Sequence, residues 1–365
     1  MKNVVIKYGQ ATAFGLVFLL SSICYLEKCW AEETNEKSAA LIWELEKVRN
    51  ENRGDGMGFV LVRLTNKTDH DVKLDIMRTP LGGMRGDYFS VRENDKVIPY
   101  RGALVNRIED LTPDTLHIIN SGQVIERKVN LLEGYNINTP GIYTVQYKEQ
   151  HIIGHTHSEL FVSESKPIEI VVEKPQPYNM LHRTKKKDPV QPCSSEKLKK
   201  VRTAQNQAIS ITSMVNKTLQ GLKPENDSIW VKWFGQYNNT RVKRTKRIYG
   251  AAEDKLEKRT KSKKINLSCG GLKCNKGDYA YTYTGGLGNN IYLCSEFWKA
   301  NRGSWNSPGG VILHEVTHFD QVGPTHDYEY GVKKCKNLAK TSPLKASWNA
   351  DNYQYYGENV IKITP

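Results

Sequence analysis

Five consecutive residues, His314-Glu315-Val316-Thr317-His318, constrain this 365-residue chain more tightly than any other stretch. They lie in an apolar run of Val311, Ile312, Leu313 and Phe319, with Pro308-Gly309-Gly310 ahead and Gly323-Pro324 behind, which are the start and stop signals of a helix. Residues four apart project from one helix face, so both imidazoles can meet one zinc ion while Glu315 points toward the adjacent open coordination position. That is the geometry of a zinc peptidase. A chance match in a chain of this length has a probability of roughly one in a hundred, and the apolar helical context strengthens it. The third ligand decides the subclass. The metzincin extension fails, because Gly323 leads to no matching His; downstream, Asp327 offers a carboxylate, with His326 and Glu329 as competitors, and residue type alone favours His326.

The start of the chain carries Lys2 and Lys7, an apolar segment from Ala11 to Cys24, and a small-x-small sequence, Cys29-Trp30-Ala31. At roughly 14 residues the apolar core is short for a membrane span and reads as a cleaved secretory signal, residues 1–31, leaving no stable membrane anchor. With 38% hydrophobic residues and no other long apolar stretch, a multi-spanning membrane protein is excluded. In an oxidising compartment the remaining Cys193, Cys269, Cys274, Cys294 and Cys335 would form two disulfides and leave one thiol, and spacing alone does not choose the pairs.

Two compositions follow one another along the chain. Ala39, Leu41, Ile42, Leu45 and Val48 suggest a short amphipathic helix, after which the period becomes two: Val60, Val62 and Leu64; Val72, Leu74 and Ile76; Tyr143, Val145 and Tyr147; Ile168, Ile170 and Val172. Many short strands and no cysteine suggest a β-sandwich over residues 32–174. Residues 175–192 hold Pro175, Pro177, Pro189 and Pro192 around Arg183, Lys185, Lys186 and Lys187, an exposed, protease-accessible linker. Beyond it Val201, Ala204, Ala208, Ile211, Val215 and Leu219 recur at helical steps, and helices dominate residues 193–365 around a small sheet carrying Tyr279, Tyr281, Tyr283, Ile291 and Leu293. The fold class is therefore α+β.

The formal charge of +14 could suit a nucleic acid, and the run from Arg241 to Lys264 is densely basic. Aromatic interleaving is sparse there, so a solvated basic helix and no nucleic-acid partner are expected. His151, His155 and His157 read as a solvated hairpin rather than a second metal site.

His314-Glu315-x-x-His318 followed by Thr325-x-Asp327-x-x-Tyr330-Gly331 resembles the aspzincins, the deuterolysin and peptidyl-Lys metalloendopeptidase group, with Pro324 as the departure from the second element. Trp233-Phe234-Gly235, Phe297-Trp298 and Asn349-Ala350-Asp351 look like further landmarks of that family. The resemblance implies a zincin-like metalloprotease domain over residues 193–365, one zinc ion per chain held by His314, His318 and Asp327, Glu315 as general base, and Tyr330 as donor to the oxyanion. It pairs Cys193 with Cys269 and Cys274 with Cys294, and leaves Cys335 free. It places Asp351 in the S1′ pocket for a substrate lysine and Gln354 where lysine-specific members have a second carboxylate. The first half is similar to the N-terminal β-sandwich of secreted precursors.

The expectation is thus a monomeric, secreted zinc endopeptidase made as a zymogen. It would leave the cell, through the periplasm in a Gram-negative source, and cleave proteins or peptides, with a taste for Lys at P1′. Its own N-terminal domain would be an intramolecular inhibitor or chaperone, removed by autocatalysis. The competing class is a non-enzymatic exported binding or adhesin protein with a structural zinc.

Overall fold

The computed structural model describes residues 41–48, 58–109, 116–148, 164–172, 188–221, 227–257, 265–285 and 289–363. The expected signal segment, His151, His155 and His157, and the lysine run of the expected linker lie outside these residues.

Alternating apolar residues build the N-terminal half. Strands β1 (Leu41–Lys47), β2 (Phe59–Asn66), β3 (Val72–Leu74), β4 (Phe89–Glu93), β5 (Lys96–Val97), β6 (Ala103–Arg107), β7 (His117–Ile119), β8 (Val124–Asn130), β9 (Gly141–Tyr147) and β10 (Ile168–Val172) follow one another, with short 3-10 turns between β3 and β4 and between β8 and β9. One antiparallel sheet has the order β1-β2-β8 and another the order β10-β9-β4-β5. Their inward residues, among them Leu41, Trp43, Val62, Leu64, Phe89, Val91, Tyr143 and Val145, share one hydrophobic core. Trp43 stacks on Tyr147 with ring centroids 4.5 Å apart. The amphipathic helix expected around Leu41 is a strand instead. Leu41, Trp43 and Leu45 are buried while Glu44 and Glu46 are exposed, so the operative period is two.

The C-terminal half holds helices α1 (Ser195–Gln220), α2 (Ser228–Phe234) and α3 (Asn239–Glu257), strands β11 (Asn266–Ser268), β12 (Asp278–Tyr283) and β13 (Asn290–Leu293), then helices α4 (Ser295–Lys299), α5 (Pro308–Thr317), α6 (Val332–Thr341), α7 (Pro343–Ala346) and α8 (Ala350–Ile363). Ser194 caps α1, whose buried stripe of Val201, Ala204, Ala208, Ile211, Val215 and Leu219 enters a second core with Leu313, Val316, Tyr353 and Tyr356. The disulfides join Cys193 to Cys269 and Cys274 to Cys294, with Cα–Cα distances of 5.2 and 5.4 Å, and Cys335 is a buried free thiol.

Two features depart from the sequence expectation. Within the expected linker, residues 189–192 are exposed but Asp188 is buried against the C-terminal half, where it accepts hydrogen bonds from the Leu272 amide (3.0 Å) and the hydroxyls of Tyr281 and Tyr283. Strand β6, which comes from the N-terminal half in sequence, leaves its own sheets and pairs antiparallel with β12, completing a four-stranded sheet of order β11-β13-β12-β6.

Candidate active site

Helix α5 carries the two histidines, and its start is pinned from two sides. Ser307 caps it by accepting from the Gly310 amide (3.1 Å), and Pro308 occupies the first turn, where a missing N–H costs nothing. Glu358 of α8 accepts from both the amide (2.8 Å) and the hydroxyl (2.7 Å) of Ser307. A Cβ on Gly309 would lie 2.6 Å from Gln207 of α1, and one on Gly310 would lie 2.0 Å from the Glu358 carboxylate. The two glycines therefore set how closely α5 approaches α1 and α8.

His314 Nε2 and His318 Nε2 stand 3.1 Å apart, and Asp327 Oδ1 is 3.2 Å from the first and 3.3 Å from the second. Tetrahedral zinc with ligands at 2.0–2.1 Å requires donor separations of about 3.3 Å, so these three atoms form one face of such a tetrahedron. Both Asp327 oxygens are buried without a hydrogen-bond partner, as is expected of a carboxylate kept for a cation. Among the described residues only these three group as ligands. The group includes Asp327 and neither His326 nor Glu329, and the backbone of His326 bridges that of Asn349.

The surrounding residues orient these three side chains. His318 Nδ1 meets the Thr325 carbonyl at 2.9 Å, a contact that places the proton on Nδ1 and leaves Nε2 a lone pair. His314 Nδ1 lies 2.8 Å from Asp351 Oδ1, and the second oxygen of Asp351 accepts from the Gly331 amide at 2.7 Å. Asp351, expected at the substrate pocket, is therefore engaged with a ligand and buried. Asn349 accepts from the amides of Tyr328 (2.8 Å) and Glu329 (3.1 Å), which fastens the segment carrying Asp327 to the start of α8. Gln354, one turn after Asp351 on α8, donates to Asn306 (3.0 Å). Asp351→Asn is expected to lower zinc affinity about 10- to 100-fold, because a carboxylate behind a ligating imidazole fixes its tautomer and raises its basicity. Competition with a chromophoric chelator measures this.

Glu315 is fully buried, neither oxygen has a hydrogen-bond partner, and burial raises its carboxyl well above the ordinary range. Tyr330, three residues after Asp327, donates its hydroxyl to the backbone carbonyl of Val105 in β6 at 2.9 Å, and Arg78 lies 4.8 Å from its ring centroid. The pattern of residue types held no signal for this contact. Cavities of about 570 and 490 Å³ flank the strand. The larger is lined by Asp327 and Tyr330 together with Arg78 and Tyr88, the smaller by Thr325 and Trp348 together with Phe89 and Leu104.

Two histidines four apart, a carboxylate beside them and a buried glutamate are the residue set that a metallopeptidase centre requires. Residues 220–358 match a family profile described as lysine-specific metallo-endopeptidase, the aspzincins. The chain is 26% identical to an extracellular protease of Aeromonas hydrophila over 314 residues, covering 82% of this chain and 88% of that one. It is 25% identical to the peptidyl-Lys metalloendopeptidase of Grifola frondosa over 346 residues, covering 86% and 92%. A zinc peptidase structure from Grifola frondosa aligns at 30% identity and a TM-score of 0.41, covering 46% of this chain and 97% of that one. The chain belongs to the aspzincin metalloendopeptidases.

Proposed function

We propose that this is a secreted zinc endopeptidase made as a zymogen, whose N-terminal β-sandwich covers the cleft of the catalytic half until the linker is cut. The observation that carries the reading is the position of β6. It occupies the open edge of the catalytic sheet and presents the Val105 carbonyl to the Tyr330 hydroxyl, where a substrate strand would present its scissile carbonyl. Occupation of that edge and hydrolysis of a substrate on it exclude each other.

His314, His318 and Asp327 would hold the zinc, which supplies Lewis acidity and lowers the pKa of water to about 7. Glu315, buried beside the ligands, takes a proton as a peptide carbonyl is attacked and returns it to the leaving amine. Tyr330, once released from Val105, donates its hydroxyl to the oxygen that gains charge. Among the described residues no fourth ligand joins the three, which favours an open catalytic position over a closed structural one.

The relatives named for lysine suggest a preference for Lys after the scissile bond. Engagement of Asp351 with His314 and the neutral Gln354 favour a relaxed preference, with Lys185 to Lys187 as the site of self-cleavage. The extracellular relative and the apolar segment from Ala11 to Cys24 support export of the precursor.

Intact mass followed over time, with and without a zinc chelator, tests the reading. The untreated chain is expected to split in the lysine-rich segment and the chelated chain to stay whole. A chain that stays whole, and that cleaves no added protein after another protease has opened the linker, would overturn it.

A further inference from the structure

Asp278 begins β12 and is fully buried, yet both cations that neutralise it come from the N-terminal half. Arg107 Nη1 reaches its Oδ1 at 2.5 Å and Arg85 Nη2 its Oδ2 at 2.5 Å. Within the C-terminal half its carboxylate accepts one hydrogen bond, from the Asn275 amide at 2.7 Å. The N-terminal half, by contrast, brings a carboxylate of its own: Asp75 lies 3.2 Å from Arg107 and 3.5 Å from Arg78. Separation of the halves therefore leaves Arg107 partnered by Asp75, parts Arg85 from Asp278 and from the Lys273 carbonyl, and leaves Asp278 without a cation.

The place of Asp278 gives that carboxylate a use. In the β6–β12 register Val105 faces Tyr281 and Arg107 faces Asp278. Val105 is the residue whose carbonyl reaches Tyr330, and Arg107 follows two residues later, about 7 Å along an extended strand. A substrate lying as β6 lies would put its second residue after the scissile bond against Asp278. A carboxylate that has lost two guanidinium partners is left as an acceptor for a replacement cation, because hydrogen bonds between ionised groups are stronger than neutral ones.

We propose that Asp278 is a specificity-determining residue of the released enzyme. It forms an anionic subsite that selects Arg or Lys at the second position after the scissile bond, and Arg107 and Arg85 fill it in the precursor. The inference rests on the zymogen reading above, and it concerns a different substrate position from the lysine preference of the relatives.

The test uses the full chain, nicked in the linker, and two peptides with Lys immediately after the scissile bond. One has Arg at the next position and the other norleucine. The parent is expected to prefer the Arg peptide at least tenfold in kcat/KM, and Asp278→Asn to bring that ratio to within twofold of one. A ratio near one in the parent, or a ratio unchanged in Asp278→Asn, overturns the proposal. If Asp278→Asn does not fold, a peptide library on the parent decides: enrichment of basic residues at that position, weakened by salt, supports the subsite, and a flat profile overturns it. Nicked protein that cuts no peptide of either kind overturns the proteolytic reading itself, and this one with it.

Discussion

Glu315→Gln is expected to lower kcat about a thousandfold while leaving KM and zinc content unchanged. Glutamine matches glutamate in shape, so α5 and the imidazoles on it keep their places, but an amide cannot accept the proton that a general base must take, a role worth about 10² to 10⁴ in rate. The native carboxylate has no hydrogen-bond partner in its buried position, so the neutral amide adds no penalty from a lost bond. Matched losses in kcat and kcat/KM would mark an interaction made only in the transition state. Steady-state kinetics on the linker-nicked protein, with metal content measured alongside, provide the check. A variant that turns over within tenfold of the parent would remove Glu315 from the chemistry.

Arg107→Met is expected to destabilise the assembled chain by about 3–5 kcal/mol, the cost of removing one member of a buried ion network and leaving its partner charged. Arg107 is 4% exposed and spans Asp75 and Asp278, so its loss weakens both carboxylates at once. Denaturant unfolding of the uncut precursor measures the change. Lys299→Ala, which breaks an exposed pair with Glu296, provides the contrast and is expected to cost at most about 1 kcal/mol. Equal effects of the two substitutions would show that the network adds nothing to docking. A faster appearance of activity in Arg107→Met would show that the same contact restrains the cleft.

The cluster of His314, His318 and Asp327 was legible because its spacing is local. Two imidazoles at i and i+4 declare a helix and a shared face before any tertiary contact is known, and the downstream Thr-x-Asp-x-x-Tyr-Gly spacing carried Asp327 and the disulfide pairs through family resemblance. Strand β1 was misread because Leu41, Leu45 and Val48 satisfy a helical spacing, while Trp43, which settles the alternation, stood outside that reading. Asp351 shows a different loss of information: its position was found, but its engagement with His314 depends on how α8 packs against α5. The pairing of β6 with β12 had no local trace, since alternation reports a strand and says nothing of its partner. Arg107 and Asp278 lie 171 residues apart, and no periodicity links them.

That separation also orders events in time. The half that contains β6 leaves the ribosome first and can gather its own core early, whereas β12 arrives only after the linker and three helices, two of them long, have been made. The last sheet therefore grows onto a strand made before it; on the zymogen reading proposed above, the cleft is assembled against its cover, and a cell making this chain need never hold the naked enzyme.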